Sequence, residues 1–108
     1  MALDFSNLIR EICITWESFA KNTIGYQLVR SVDSISANIA EGFGRGRFHY
    51  KENLKFCFYA RGSLEETQDW LKKAYKRKLI SSDKKEKIES FLSIFPQRLN
   101  AYIKKIKQ

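Results

Sequence analysis

The sequence predicts an all-α protein, an antiparallel up-down-up-down four-helix bundle that forms one domain over residues 1–108. Apolar residues recur at steps of three and four along four segments, which places them on one face of an α-helix in each segment. The chain contains one proline and five glycines, too few turn residues for a β-rich fold of this length. Hydrophobic residues make up 44% of the sequence, which is an ordinary fraction for a globular core.

The first segment predicts a helix from about Asp4 to Phe19, in which Asp4 or Ser6 caps the first turn. Residues 21–23 are the predicted connection to the next helix, and Thr23 is the predicted cap of that helix. The apolar face of the first helix contains Phe5, Leu8, Ile9, Ile12, Trp16 and Phe19.

The second segment predicts a helix from about Ile24 to Phe43, which Gly42 and Gly44 end because glycine adopts the left-handed C-cap conformation without strain. Its apolar arc contains Ile24, Leu28, Val32, Ile35, Ile39 and Phe43. The opposite arc is a polar seam of Arg30, Ser34, Asn38, Glu41 and Arg45. The seam is either a solvent-facing surface or a packed network between helices or subunits. Its short hydrogen-bonding residues favour the packed network.

The third segment predicts the longest helix, from about Phe48 to Lys78. Phe58 falls on its polar side, which is typical either of an intermolecular contact or of an exposed aromatic residue with no role. One apolar stripe contains Tyr50, Leu54, Cys57, Leu64, Leu71 and Tyr75. A second stripe, of alternating large and small residues, contains Phe56, Ala60, Ser63, Thr67, Trp70 and Ala74.

The fourth segment predicts a helix from about Asp83 to Lys107, which begins with a capping box formed by Asp83 and Glu86. Pro96 lies inside the apolar pattern and must kink this helix or break it in two. The apolar face contains Ile88, Leu92, Phe95, Leu99, Ile103 and Ile106.

The chain lacks the residue patterns that catalysis and metal binding require. His49 is the one histidine and falls in a predicted turn, and Cys13 and Cys57 lie on apolar stripes, as buried thiols do. No nucleophile has a recognisable partner base. We therefore expect no catalytic residue, no metal, no cofactor and no small-molecule substrate. With no signal peptide and no apolar run of membrane-spanning length, we also expect a cytoplasmic protein with no membrane partner.

Positive charge is the strongest indication of a partner. The net charge is +8 and the pI is about 9.6, which favours a polyanion such as RNA or DNA over the alternative of a merely soluble surface. Two clusters are the candidate phosphate contacts, and binding through them would not depend on base sequence. The first contains Arg45, Arg47 and Lys51, beside His49. The second contains Lys72, Lys73, Lys76, Arg77 and Lys78 and continues to Lys84 and Lys85.

Two stretches, residues 34–45 (SISANIAEGFGR) and residues 61–66 (RGSLEE), resemble motifs of the 23S ribosomal RNA intervening-sequence family of four-helix proteins. The resemblance covers essentially the whole chain. It implies a homopentameric ring, and it implies a relation to accessory proteins of diversity-generating retroelements, which bind nucleic acid through basic surfaces. Ser36 departs from the family pattern, where proline is usual. The positions interpreted as packing or assembly residues are Arg30 in the seam and the motif residues Ser34, Asn38, Glu41, Gly42, Gly62, Ser63, Leu64 and Glu66.

The sequence therefore supports two hypotheses about the function of the protein. One is a non-enzymatic homo-oligomer that binds RNA or DNA without sequence preference. The other is a protein–protein assembly module that binds no nucleic acid.

Overall fold

All of the regular structure is helical in the computed structural model, which describes residues 1–108. The helices are α1 (Ala2–Cys13), α2 (Ser18–Ala20), α3 (Tyr26–Arg45), α4 (Tyr50–Lys76), α5 (Ser82–Leu92) and α6 (Phe95–Lys107). A π-helical turn, Lys21–Gly25, joins α2 to α3 without a break, because the residues on both sides of it keep helical dihedral angles. The molecule thus consists of four rods, formed by α1, by α2 with α3, by α4, and by α5 with α6. The predicted four-helix bundle is confirmed.

The pairs of contacting residues are those expected of antiparallel neighbouring rods. Ser31 on α3 lies 2.9 Å from Thr67 on α4, measured between the hydroxyl oxygens. Eleven residues further along α3, Gly42 lies against Phe56, which is closer to the N-terminus of α4 than Thr67 is. The two helices therefore run in opposite directions. On the other side of α4, Asn53 donates to the Tyr102 hydroxyl near the end of α6, at 3.2 Å. The first helix pairs with α3 through Ser6, which donates to Asp33.

The core lies between the rods and follows the predicted apolar stripes. Its largest fully buried side chains are Phe5, Ile9, Leu28, Ile35, Leu71 and Ile88. The rings of Phe5 and Phe91 stack with their centroids 5.3 Å apart, which ties α1 to α5. Three predicted stripe positions are wrong, because Phe19, Phe43 and Tyr50 are 75%, 69% and 56% exposed.

The connection between the first two rods lies earlier than the sequence predicts. The first helix ends at Cys13, and a new helix begins after Glu17, whose carboxylate accepts from the backbone N–H groups of Phe19 at 3.0 Å and Ala20 at 2.7 Å. Glu17 thus supplies the N-cap that the prediction assigned to Thr23. The Thr23 hydroxyl instead donates to the Phe19 carbonyl at 2.7 Å inside the π-helical turn.

Other predicted helix ends are also wrong, and local hydrogen bonds explain why. Neither Asp4 nor Ser6 caps α1, since α1 begins at Ala2 and the buried Ser6 hydroxyl bonds to Asp33. The cap of α5 is Ser81, whose hydroxyl accepts from the Lys84 N–H at 3.3 Å, rather than Asp83. The prediction for Pro96 is confirmed, because it breaks the last rod in two and occupies the first turn of α6, where its missing N–H breaks no helical hydrogen bond.

The glycines at the end of α3 let the chain approach α4 closely, and none of them adopts the left-handed conformation that the sequence analysis predicts. No glycine has a positive φ, and α3 continues through Gly42 and Gly44 to Arg45. A Cβ atom at Gly46 would lie 2.3 Å from the Asn53 Cβ atom, so the turn fits tightly against α4 only without a side chain. The positive φ of 58° belongs instead to Lys78, just after α4.

Candidate nucleic-acid interface

The fold gathers basic residues from distant parts of the chain at one end of the bundle. Because α4 and α6 are antiparallel, the C-terminus of α6 lies beside the first turns of α4, where the Lys107 ammonium is 5.6 Å from the centre of the Phe58 ring. The first predicted cluster is therefore joined by cations that sequence reasoning did not include. The exposed basic residues at this end are Arg45, Arg47, Lys51, Lys55, Arg61, Lys104, Lys105 and Lys107.

Aromatic rings are interleaved with these cations. Phe48 is 87% exposed, Tyr59 is 50% exposed and Phe58 is 40% exposed. The Arg61 guanidinium lies 5.1 Å from the Phe58 ring centre, and the Arg45 guanidinium lies 5.5 Å from that of Phe56. Phe58 is thus exposed as predicted, but it is not isolated. We call this surface the basic aromatic end; its members are the eight cations named above together with Phe48, Tyr50, Phe56, Phe58 and Tyr59.

Helical periodicity builds a shallow groove of ≈ 380 Å³ on the N-terminal half of α4. Its lining residues are Lys51, Leu54, Lys55, Phe58 and Tyr59, at helical steps that place them on one face. Glu52, which is half-buried, is the one carboxylate of α4 before Glu65. At the nearby end of α3, Glu41 pairs with Arg45 at 3.0 Å.

The second predicted cluster lies at the opposite end of α4, roughly 30 Å away by the rise of a helix. Lys72, Lys76 and Arg77 are exposed there. Lys73 already forms an ion pair within the protein, because its ammonium lies 2.6 Å from the Asp69 carboxylate, and it also lies 4.3 Å from the centre of the Trp70 ring. The hydrogen bond and the charge of Lys73 lower the pKa of Asp69. The fold therefore leaves fewer free cations in this cluster than the sequence alone indicates.

The side-chain hydrogen bonds of the polar seam lie within α3, and Arg45 is the seam residue that reaches α4, at the Phe56 ring. The Ser34 hydroxyl donates to the Arg30 carbonyl at 3.0 Å, and the Asn38 amide donates to the Ser34 carbonyl at 2.8 Å. In the single chain, Arg30 and Glu41 are exposed and the two residues between them are half-buried. No other helix of the chain covers the seam's charged residues, so a packed network within the protomer is excluded for them. A role between subunits stays a prediction.

The motif residues of α4 divide between the core and the surface. Leu64 is buried, and Ser63 is half-buried with its carbonyl accepting from the Thr67 hydroxyl at 2.8 Å. Glu66 is exposed and accepts from the Trp70 indole at 3.2 Å. Gly62 is exposed, and a Cβ atom there would have nothing within 4 Å. Gly62 therefore serves no packing role within the protomer, in contrast to Gly42.

Titratable groups outside the two basic clusters are buried or dispersed. Burial raises the pKa of the Cys13 thiol to about 12 and also raises that of Cys57, so neither is an activated nucleophile. His49, the residue before α4, is exposed. No three His, Cys, Asp or Glu side chains come together in a way that could hold a metal ion. None of the helices combines the length and apolar character that crossing a bilayer demands.

The model of one protein family, the 23S rRNA-intervening sequence protein family, matches residues 1–101. The chain belongs to this family. Comparison with curated proteins and with solved structures gives no significant match. The matched range includes both stretches, residues 34–45 and 61–66, on which the resemblance to the 23S rRNA-intervening sequence proteins rests, together with the α3–α4 turn and residues 95–101 of α6.

Proposed function

We propose that this chain is a non-enzymatic, homo-oligomeric protein that binds RNA or DNA through the phosphate backbone. The observation that carries the proposal is the convergence of the α3–α4 turn, the first turns of α4 and the last turn of α6 at one basic end. Between residues 45 and 61 the chain has five Lys and Arg residues and one Glu, and α6 adds three lysines beside them. The polyanionic backbone of a nucleic acid complements such a surface.

The contacts at this end support binding without base-sequence readout. Arg47, Lys51 and Lys55 are exposed and make no ion pair within the protein. Their side chains are flexible and can follow a phosphate backbone, whereas base readout needs a helix with side chains in a fixed register. Affinity should therefore fall steeply with added salt and change little with sequence.

Neutralisation of three cations at one end of the bundle tests the proposal. We expect a triple variant with Arg47→Gln, Lys51→Gln and Lys104→Gln to bind labelled RNA more weakly. The slope of log K against log salt should become shallower by about two to three, because up to three phosphate contacts are lost. Fluorescence anisotropy measures both quantities.

The matched control carries the same change in charge at the other end, as Lys72→Gln, Lys76→Gln and Arg77→Gln. We expect it to keep most of the wild-type affinity and slope. Absence of binding by the wild-type protein at low salt would refute the proposal.

The second part of the proposal, homo-oligomer formation, is supported by apolar surface at the end of the bundle where α1 ends. Ile14 and Tyr26 are 52% and 61% exposed and line a groove beside Gly25, and Phe19 is exposed in the adjoining short helix. A monomer seldom leaves adjacent large side chains uncovered. We propose the pentamer that the family resemblance implies. Light scattering on the purified protein tests it, and a strictly monomeric mass at high concentration would contradict it.

The alternative is an assembly module that binds protein partners and no nucleic acid. The same apolar surface favours it. The two functions are distinguished by one result, since a well-formed oligomer that fails to bind RNA or DNA at low salt supports the alternative alone. In either case we propose a cytoplasmic location, which the two unpaired buried thiols fit because that compartment is reducing.

A further inference from the structure

The aromatic residues distinguish the basic aromatic end from the second basic cluster. Near the second cluster, the Trp70 indole donates to Glu66 and the Tyr75 hydroxyl bonds to Glu89, so both rings are held by the protein's own side chains. At the basic aromatic end, Tyr59 packs edge-on against Phe56 with the ring centroids 5.5 Å apart, yet it presents half of its surface to solvent, and Phe48 presents 87%. Contacts to phosphates alone need lysine and arginine but no exposed rings. Phosphate binding by the cations therefore does not explain why these aromatic rings are exposed.

The groove on α4 combines rings and cations within a short distance. Lys51, Lys55 and Phe58 lie on one helix face, with Tyr59 adjacent, and the segment from Lys51 to Arg61 spans about 15 Å. The cations of Arg61 and Lys107 lie 5.1 Å and 5.6 Å from the Phe58 ring centre. Positive charge thus flanks the exposed rings both along α4 and from α6.

We infer that the basic aromatic end is a binding site for single-stranded nucleic acid, in which unpaired bases stack on Tyr59 and Phe48, the more exposed rings, while the flanking cations contact phosphates. The inference rests on the proposed function and specifies its ligand. Stacking on aromatic side chains tolerates any base, since every base has a π-face, so the absence of a recognition helix is consistent with it. In a duplex the base faces are stacked on one another and cannot reach the rings.

Acidic residues limit the site to one half of α4. Beyond Arg61, the exposed residues of α4 include Glu65, Glu66 and Asp69. These carboxylates repel phosphates, so a bound strand does not continue along α4 toward the second cluster. The strand instead passes from the groove toward the α3–α4 turn, where Arg47 and Phe48 are exposed.

Charge also favours a polyanion over a second copy of this chain as the occupant of the groove. In a face-to-face contact between two copies, Lys51 and Lys55 of one would lie close to the same residues of the other; in a ring, where two different faces meet, the neighbouring copy still carries a net charge of +8. The only carboxylate available on the N-terminal half of α4 is Glu52, and the whole chain carries a net charge of +8. A nucleic acid strand neutralises these cations, whereas a second copy adds to the repulsion.

Binding of the full-length protein to single strands and to a duplex tests the inference. The probes are labelled oligouridylate and oligodeoxythymidylate of about 12 nucleotides, and an RNA duplex of the same length. The variants are Tyr59→Ala and the matched control Tyr59→Phe, which keeps the ring. Tyr59 is half-exposed, so we expect both variants to fold, and Phe48→Ala is a second variant at a still more exposed ring.

We expect the wild-type protein to bind the single strands more tightly than the duplex. Tyr59→Ala should weaken single-strand binding by about fivefold or more, leave duplex binding almost unchanged, and contrast with Tyr59→Phe, which should retain the wild-type affinity. Equal binding of single strands and duplex, unaffected by Tyr59→Ala and Phe48→Ala, would overturn the inference and leave the proposed function standing. No binding to any probe at low salt would overturn both. A change in oligomer mass on Tyr59→Ala would also overturn it, because the face would then be an interface between copies of the chain.

Discussion

Alanine in place of Gly42 tests whether close approach of α3 and α4 fixes the end of the bundle that carries the candidate site. Gly42 is buried, and a Cβ atom there would lie 2.7 Å from the Phe56 Cβ atom and 3.1 Å from the Asn53 side-chain oxygen. Neither helix can yield without moving the residues that position the α3–α4 turn. Overpacking of this kind costs about 1–3 kcal/mol.

Gly44 provides the matched control, because it lies in the same last turns of α3 and a Cβ atom there would have nothing within 4 Å. Both substitutions gain helix propensity, up to about 1 kcal/mol, and this gain cancels in the comparison. We therefore expect Gly42→Ala to be less stable than Gly44→Ala by about 1–3 kcal/mol in urea unfolding followed by far-UV circular dichroism. Equal stability of the two variants would refute the close-approach reasoning.

Three further predictions concern single residues in the helices. Lys78→Gly should stabilise the protein by up to about 1 kcal/mol in urea unfolding, because Lys78 has a φ of 58° and glycine adopts that conformation without strain; a loss of stability would contradict this. Thr67→Val should destabilise it by about 1 kcal/mol, because the buried Thr67 hydroxyl bonds to Ser31 at 2.9 Å; an unchanged unfolding midpoint would show that the bond contributes nothing. The free energy of unfolding should fall above pH 9, by up to about 1.4 kcal/mol per pH unit. The reason is that the Cys13 thiol of the unfolded chain loses its proton near the ordinary pKa of 9.0, whereas the folded protein keeps that proton to a pKa of about 12. The decline should be less steep in Cys13→Ala, and identical pH profiles of the two proteins would refute the assignment to Cys13.

The helical periodicity of apolar residues predicted the four rods and most of the core, because apolar side chains that share one helix face are the ones buried on folding. Ile35, Leu71 and Ile88 were assigned to apolar faces and are buried. The failures lie where a local hydrogen bond competes with periodicity. Glu17 begins a helix inside the predicted first one, and the residue types that most often cap helices stand on both sides of it, at Thr15, Ser18 and Thr23.

The candidate site was predictable only in part, because charge clusters are visible in a sequence whereas their three-dimensional neighbours are not. Arg47 and Lys51 were identified from their place beside the glycine-rich turn. Lys107 could be added only once the antiparallel pairing of α4 and α6 was known. Conversely, the pairing of Lys73 with Asp69, four residues earlier, follows a spacing that could have been found in the sequence.

The most direct test of the central claim is lysine footprinting by acetylation and mass spectrometry, with and without single-stranded RNA. If the basic aromatic end binds the strand, RNA should protect lysines from both α4 and α6, namely Lys51, Lys55, Lys104, Lys105 and Lys107. The lysines of the second cluster that are exposed, Lys72, Lys76 and Lys78, should remain as reactive as in the free protein. Protection confined to the second cluster would contradict the account.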